Sequence, residues 1–137
     1  MTHLLPTEAW AWLQDRAAQR ATLGLEPPLF LDIRMEIESL YVGRPPGVVH
    51  IAWYEYPDLT ADPGAFVAAV EAEAGDRDRP VLLICRSGKR TLDAGAALEA
   101  AGFSDVAHVL HGFEGDLDDQ FKRSSLNGWR YDGLPWE

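Results

Sequence analysis

One short loop in this sequence concentrates residues that could do nucleophilic chemistry. Cys85 is the only cysteine of the chain, and the five residues after it, Arg86 to Arg90, read RSGKR. From position 79 to position 92 there are four basic residues and no acidic one, although the whole chain carries a formal net charge of −10. A basic neighbourhood favours the thiolate, which is the nucleophilic form of cysteine. The sequence therefore predicts a reactive thiolate beside a site for a small anion.

The segments on either side of this loop predict how it is held. Residues 81–84 form a continuous apolar, branched run, which is typical of a central parallel strand, and a helix is predicted from near Thr91 to Gly102. A tight loop at a helix N-terminus points backbone N–H groups and the positive end of the helix dipole at its centre. Gly88 can take a left-handed conformation or let the backbone approach closely. We therefore expect the backbone amides of residues 86–91 to cradle an anion.

Strand-like and helix-like segments alternate along the rest of the chain. This pattern predicts a three-layer α/β/α sandwich around a mainly parallel sheet of about five strands. The length of 137 residues suits a single domain spanning residues 1–137. The sequence predicts strands at 2–5, 29–32, 48–51, 81–84 and 106–110, helices capped at Thr7 and at Asp62, and irregular structure at 36–47.

Composition excludes several classes of function. A net charge of −10 speaks against nucleic acid and anionic membranes as partners. No apolar run approaches the roughly 18–20 residues that span a membrane, and the first residues lack the basic region of a signal peptide, so a cytoplasmic protein is expected. A single cysteine allows neither an internal disulfide nor a multi-cysteine zinc site. His108 and His111 have no third ligand nearby, so no metal and no cofactor are expected.

The loop and three further segments resemble the rhodanese family of sulfurtransferases. Residues 85–91 are similar to the family's C-R-x-G-x-R-S active loop, which is the most specific match. Residues 32–34 resemble its D-x-R strand end, residues 43–51 resemble its G-H-I-P-G-A-x-N-I-P segment, and residues 94–112 resemble the helix and strand that follow its loop. The second of these departs from the family pattern at Arg44, Pro45, Val48, His50 and Ala52.

The resemblance implies a two-step transfer of sulfane sulfur. The Cys85 thiolate would take sulfur from thiosulfate or a persulfide donor, and a thiol, cyanide or a partner protein would remove it. This agrees with what the residues themselves indicate, because the chemistry needs an activated thiolate, a cradle for an anionic persulfide and cations for the donor. The residues implied in substrate binding are Arg86, Ser87, Gly88, Lys89, Arg90 and Thr91.

Two other interpretations stay open at this stage. A cell-cycle-phosphatase-type phosphatase or arsenate reductase would use the same fold, but its loop reads His-Cys-x5-Arg, whereas here Ile84 precedes the cysteine and Arg90 follows it by five positions. A non-enzymatic persulfide carrier would load sulfur and release it only to its partner. Asp32 and Arg34 are expected to form an ion pair. Further candidates for the lining of the pocket are Arg34, Trp53 and the acidic residues at 114–119.

Overall fold

A parallel sheet of five strands forms the centre of the structure, a computed structural model that describes residues 1–137. The strands lie in the order β1-β5-β4-β2-β3, and all neighbouring strands are parallel. The strands are β1 (Thr2–Leu4), β2 (Leu29–Asp32), β3 (Val49–His50), β4 (Val81–Ile84) and β5 (Val106–Val109), and the helices are α1 (Pro6–Thr22), α2 (Glu36–Val42), α3 (Pro63–Ala74) and α4 (Arg90–Ala100).

Helices cover both faces of the sheet. Val81 and Leu83 of β4 belong to a core cluster with residues of α3 and α4, while Leu82 and Ile84 pack in a second cluster with α1. Because successive side chains of a strand point to opposite faces, the apolar run of β4 supplies both clusters. The three-layer sandwich with a central parallel sheet, predicted from the sequence, is confirmed. None of the helices has the length and apolar character needed to cross a membrane.

The helix starts show where local signals are decisive. Asp62 caps α3 by accepting a hydrogen bond from the Ala65 amide at 3.1 Å, as its position before Pro63 predicts. The cap expected at Thr7 is wrong, because α1 begins at Pro6. Proline suits the first helical position since it has no N–H to satisfy.

The expectation of irregular structure at 36–47 is also corrected, because α2 occupies the first half of this segment. The backbone N–H of Met35 donates to the carboxylate of Glu38 at 2.9 Å, which closes the first turn. Ile37, Leu40 and Tyr41 are exposed, so the helix has no buried apolar stripe. The periodicity that reveals an amphipathic helix is therefore missing from the sequence.

Candidate active site

Cys85 lies at the carboxyl end of β4, the central strand of the sheet. Its side chain is almost fully buried, at 1% exposure. The segments that follow β2 and β5 meet at the same edge, because all the strands are parallel. Residues 85–91, called the cysteine loop below, thus lie where open α/β sheets bind their ligands.

The cysteine loop turns through Gly88. The Gly88 amide donates a hydrogen bond to the Cys85 Sγ at 3.2 Å. Gly88 has a φ of +90°, and a Cβ atom there would lie 3.0 Å from the His111 backbone nitrogen. Glycine is therefore required both by the backbone conformation and by the close approach of the chain after β5. Of the amides expected to cradle an anion, Gly88 is the one that bonds to Sγ.

The segment after β5 anchors the start of the cysteine loop. The Phe113 amide donates to the Cys85 carbonyl at 2.8 Å, and the Glu114 amide donates to the Arg86 carbonyl at 2.9 Å. Gly112 packs so closely that a Cβ atom would lie 2.5 Å from the Cys85 carbonyl oxygen. These contacts fix the backbone that carries the sulfur.

The N-terminus of α4 adds positive potential beside the sulfur. The helix begins at Arg90, and Lys89 in the N-cap position makes no side-chain capping hydrogen bond. Its first N–H groups are therefore not satisfied by a cap, and the helix dipole favours an anion at this end.

The three cations of the cysteine loop are not equivalent. Arg86 and Lys89 are exposed, and neither takes part in an ion pair. Arg90 is half-buried, and its guanidinium donates to the two carboxylate oxygens of Glu38 at 2.7 and 2.9 Å. Burial opposes both charges, but this bidentate contact raises the pKa of Arg90 and lowers that of Glu38. The charge available to an incoming anion thus comes mainly from Arg86 and Lys89.

Thr91 lies at the far end of the loop and is fully buried. Its Oγ1 is 3.8 Å from the Cys85 Sγ and 2.8 Å from the Nδ1 of His108, on β5. The other ring nitrogen of His108 lies 2.5 Å from the Nδ1 of His3, on β1. Burial, followed by the proximity of His3 and the amino terminus, lowers the pKa of His108 from 6.5 to about 4.

Asp32 and Arg34 form a buried pair with no exposed surface. Arg34 donates from Nε to Asp32 Oδ1 at 2.9 Å and from Nη2 to Asp32 Oδ2 at 2.7 Å. Nη2 also donates to the Gly43 carbonyl at 2.7 Å, and the guanidinium lies over the Phe113 ring, 4.6 Å from its centroid. This geometry ties the end of β2 to the chain after α2, while Arg34 Nη1 has no partner.

The other residues weighed from the sequence make no hydrogen bond to the Cys85 sulfur. Ser87 is half-buried and makes no side-chain hydrogen bond, and Trp53 is in the core, with its ring 5.1 Å from that of Phe66. Among the acidic residues at 114–119, Asp116 lies 3.5 Å from His111 Nδ1. No group of three or more His, Cys, Asp or Glu side chains is arranged to hold a metal ion.

Sequence reasoning did not identify Glu38 and did not connect His108 or His3 with the cysteine. Glu38 lies in the helix that the sequence pattern failed to reveal. His108 did carry a signal, because a histidine in an apolar strand needs a buried partner for each ring nitrogen. The partners themselves come from α4 and β1, which are distant in sequence.

Comparison with known proteins agrees with this geometry. A model of the rhodanese-like domain matches residues 6–118. The crystal structure of Rv0390 from M. tuberculosis is 34% identical, with a TM-score of 0.80, and the match covers 100% of this chain and 97% of that one. The thiosulfate sulfurtransferase GlpE of Actinobacillus succinogenes is 25% identical over 136 residues, which is 99% of this chain and 90% of that protein.

Two further similarities give less information about function. An uncharacterized protein of Rickettsia prowazekii is 30% identical over 60 residues, and this match covers 44% of the chain and 43% of the Rickettsia protein. A Rhodopseudomonas palustris protein of unknown function, described as a possible tyrosine phosphatase, is 22% identical with a TM-score of 0.61, and the match covers 100% of this chain and 85% of that one. At this identity the likeness bears on the fold alone.

Proposed function

The chain belongs to the rhodanese-like domain family, and we propose that it is a single-domain sulfurtransferase acting through a persulfide on Cys85. Its donor is thiosulfate or a persulfide, and its acceptor is a thiol, cyanide or a protein. The observation that carries this proposal is the hydrogen bond from the Gly88 amide to the Cys85 Sγ, within a basic loop at the N-terminus of α4.

The proposed reaction balances without an oxidant. The Cys85 thiolate attacks the sulfane sulfur of thiosulfate, so a new S–S bond forms at Sγ. The bond between the two thiosulfate sulfurs breaks, and its electron pair leaves on sulfite. An acceptor nucleophile then attacks the outer sulfur of the persulfide, and the Cys85 thiolate leaves; with cyanide the product is thiocyanate.

Each part of the cysteine loop has a role in this proposal. The Gly88 amide and the start of α4 stabilise the negative charge on the persulfide. Arg86 and Lys89 are exposed and attract the sulfonate of the donor, whereas Arg90, paired with Glu38, keeps the loop in position. Because Cys85 is the only cysteine, the persulfide cannot resolve as an internal disulfide and its sulfur must pass to an outside acceptor.

A phosphatase or arsenate reductase is the competing proposal on this fold. The loop argues against it, because Arg90 follows the cysteine by five positions and is already paired bidentately with Glu38. A phosphate held by the loop would need that arginine as a free fork of donors. A carrier that holds a persulfide for a partner differs from the enzyme only in its acceptor.

One experiment separates these functions. Thiosulfate:cyanide transfer and p-nitrophenyl phosphate hydrolysis are measured on the same sample, and intact-mass spectrometry follows thiosulfate treatment. We expect transfer without hydrolysis, and a sulfur adduct on Cys85 that cyanide or dithiothreitol removes. An adduct that cyanide fails to remove would favour the carrier, and hydrolysis without an adduct would favour the phosphatase.

The matched control is Cys85→Ser, which keeps the side-chain size but removes the thiolate. It should fold normally and lose both the adduct and the turnover. The proposal also includes a cytoplasmic location, supported by the need of a lone thiolate for a reducing compartment.

A further inference from the structure

A continuous line of polar side chains leads from the Cys85 sulfur, at the end of the central strand, to β1 at one edge of the sheet. It runs from Cys85 Sγ to Thr91 Oγ1 (3.8 Å), then to His108 Nδ1 (2.8 Å), and from His108 Nε2 to His3 Nδ1 (2.5 Å). Thr91 and His108 have no exposed surface, whereas His3 is exposed. The line thus joins a buried thiol to solvent.

The topology of the sheet accounts for this line. His108 pairs with Leu83 of β4 and with His3 of β1, so these three side chains lie on the face covered by α4. Thr91 is in the first turn of α4 and reaches down to the same face. A histidine in the otherwise apolar strand β5 costs desolvation energy, and both of its ring nitrogens are in fact bonded.

The donor and acceptor capacities of these groups allow only two directions along the line. A neutral imidazole has one N–H donor and one acceptor nitrogen, and a hydroxyl has one hydrogen to donate. His108 is neutral near pH 7, since its pKa is lowered to about 4. If the sulfur is a thiol, it donates to Thr91, Thr91 to His108 Nδ1, and His108 Nε2 to His3. If the sulfur is anionic, every one of these hydrogen bonds points the other way.

We propose that Thr91, His108 and His3 form a hydrogen-bonded relay whose direction follows the charge on the Cys85 sulfur. The inference rests on the proposed persulfide chemistry of Cys85. When the thiol ionises, its proton moves to Thr91 Oγ1, the Thr91 proton to His108 Nδ1 and the His108 Nε2 proton to His3 Nδ1. His3 releases its Nε2 proton to water, so one proton leaves and no electrons change hands.

The reversed relay then stabilises the anion. His108 Nδ1–H donates to Thr91, which leaves the Thr91 hydroxyl hydrogen free to donate to the thiolate or persulfide. His108 is thus a positioning residue that acts through Thr91, and His3 can partner either tautomer of His108, because its Nδ1 can accept or donate a hydrogen bond.

The charged groups around the relay are either paired with one another or exposed to solvent. The amino group of Met1 is paired with Glu99 at 2.8 Å, and Arg90 is paired with Glu38. His111 faces Asp116, and Arg86 and Lys89 are exposed to solvent. Neither histidine of the relay is bonded to a carboxylate. The charge on the sulfur is therefore the main influence on its direction.

The test is the pH dependence of Cys85 alkylation by iodoacetamide, which needs neither donor nor acceptor. In Thr91→Val and in His108→Phe the midpoint pH of Cys85 alkylation should rise by about one unit. A shift of this size corresponds to the loss of one hydrogen bond to a charged group. Thr91→Ser should restore the wild-type midpoint, and the double variant should shift no further than either single one. The control His50→Asn removes a histidine that bonds only to the Arg34 carbonyl and should leave the midpoint unchanged.

Two further measurements keep the inference falsifiable if His108→Phe does not fold. His3→Gln alters only the exposed end and should shift the midpoint by less than half a unit. In the wild type, ¹⁵N spectra of the imidazoles at a pH above the alkylation midpoint should show His108 protonated at Nδ1. Protonation at Nε2, a shift in Thr91→Val with none in a folded His108→Phe, or a shift of a full unit in His3→Gln would overturn the relay. Absence of thiosulfate turnover in the wild type would instead overturn the proposed function.

Discussion

Arg90, in the cysteine loop, is joined to Glu38 of α2 by two parallel hydrogen bonds, from Nη1 to Oε2 at 2.7 Å and from Nη2 to Oε1 at 2.9 Å. Both side chains are nearly buried, with 14% and 12% of their surface exposed. Glu38 also accepts the Met35 amide that starts α2. One carboxylate therefore couples the start of α2 to the start of α4.

Glu38→Gln should reduce the free energy of unfolding by about 1–3 kcal/mol, because it leaves the half-buried Arg90 cation without its counter-charge. Glu36→Gln is the matched control, since it removes a carboxylate from the same helix turn at an exposed position. That variant should cost less than about 0.5 kcal/mol. Urea unfolding of both variants at pH 7 measures the difference, and equal losses would show that the pair contributes nothing beyond the helix dipole.

Lys89→Ala should weaken the binding of an anionic donor without changing stability. The Lys89 side chain is exposed and takes part in no ion pair, so its charge is free to attract thiosulfate. We expect the KM for thiosulfate to rise about threefold to tenfold, an effect that added salt should diminish. Lys122→Ala, which makes the same charge change at the chain's other lysine, is the control. If both variants raise KM equally, the net charge matters and the place of Lys89 does not.

Arg90→Ala should behave in the opposite way to Lys89→Ala. It removes a guanidinium that already holds Glu38, so the main expected effect is a loss of stability of about 1–3 kcal/mol. Thermal unfolding followed alongside the KM for thiosulfate separates the two effects. A higher KM at unchanged stability would show that Arg90 binds the donor directly.

The fold could be predicted where local chemistry and burial point the same way. The apolar run of β4 and the Asp62 and Gly75 signals that flank α3 each have one simple explanation. By contrast, α2 depends on the Glu38 carboxylate and has no apolar stripe, so its pattern resembles a loop. The start of α1 was missed because a side-chain cap at Thr7 competes with the proline at Pro6, and proline determined the start.

The candidate site was predictable in part for a similar reason. Cys85, Gly88 and the cations are neighbours in sequence, so their chemistry can be recognised from spacing alone. The partners of Arg90 and Thr91 are Glu38 and His108, which reach the cysteine loop only through the order of the strands. A single sequence contains no signal that pairs residues so far apart along the chain.

Gly112→Ala should displace the cysteine loop. Gly112 has a φ of +62°, and a Cβ atom would lie 2.5 Å from the Cys85 carbonyl oxygen and 2.6 Å from the Arg86 carbonyl carbon. Backbone atoms cannot give way as a flexible side chain can. We therefore expect the free energy of unfolding to fall by about 3 kcal/mol or more and turnover to be lost. Gly24→Ala is the control, because Gly24 has a φ of +69° and nothing within 4 Å of the added atom. Gly24→Ala should lower the free energy of unfolding by only about 1 kcal/mol. Equal losses in the two variants would mean that the contact of Gly112 with the cysteine loop is unimportant.

Acid should destabilise the protein in a window set by His108. Its pKa is about 4 in the folded state, against 6.5 when exposed. Between these values the unfolded chain binds a proton that the folded protein does not, so stability falls as pH decreases from 6.5 to 4 and levels off below that range. Over this range the free energy of unfolding should fall by at most about 3 kcal/mol because of His108. Glu38, whose folded pKa is lowered, acts at lower pH, since its contribution is lost only below about 4.5.

Urea unfolding of His108→Gln between pH 7 and pH 4.5 isolates this contribution. The variant should be less stable at pH 7, because Thr91 and His3 lose their partner. Its free energy of unfolding should nevertheless depend less steeply on pH, since glutamine does not titrate. The slope should fall by up to the amount that corresponds to one proton taken up on unfolding. The control His50→Asn keeps His108 and should preserve the wild-type slope. An unchanged slope in His108→Gln would mean that His108 takes up its proton as readily in the folded protein as in the unfolded chain.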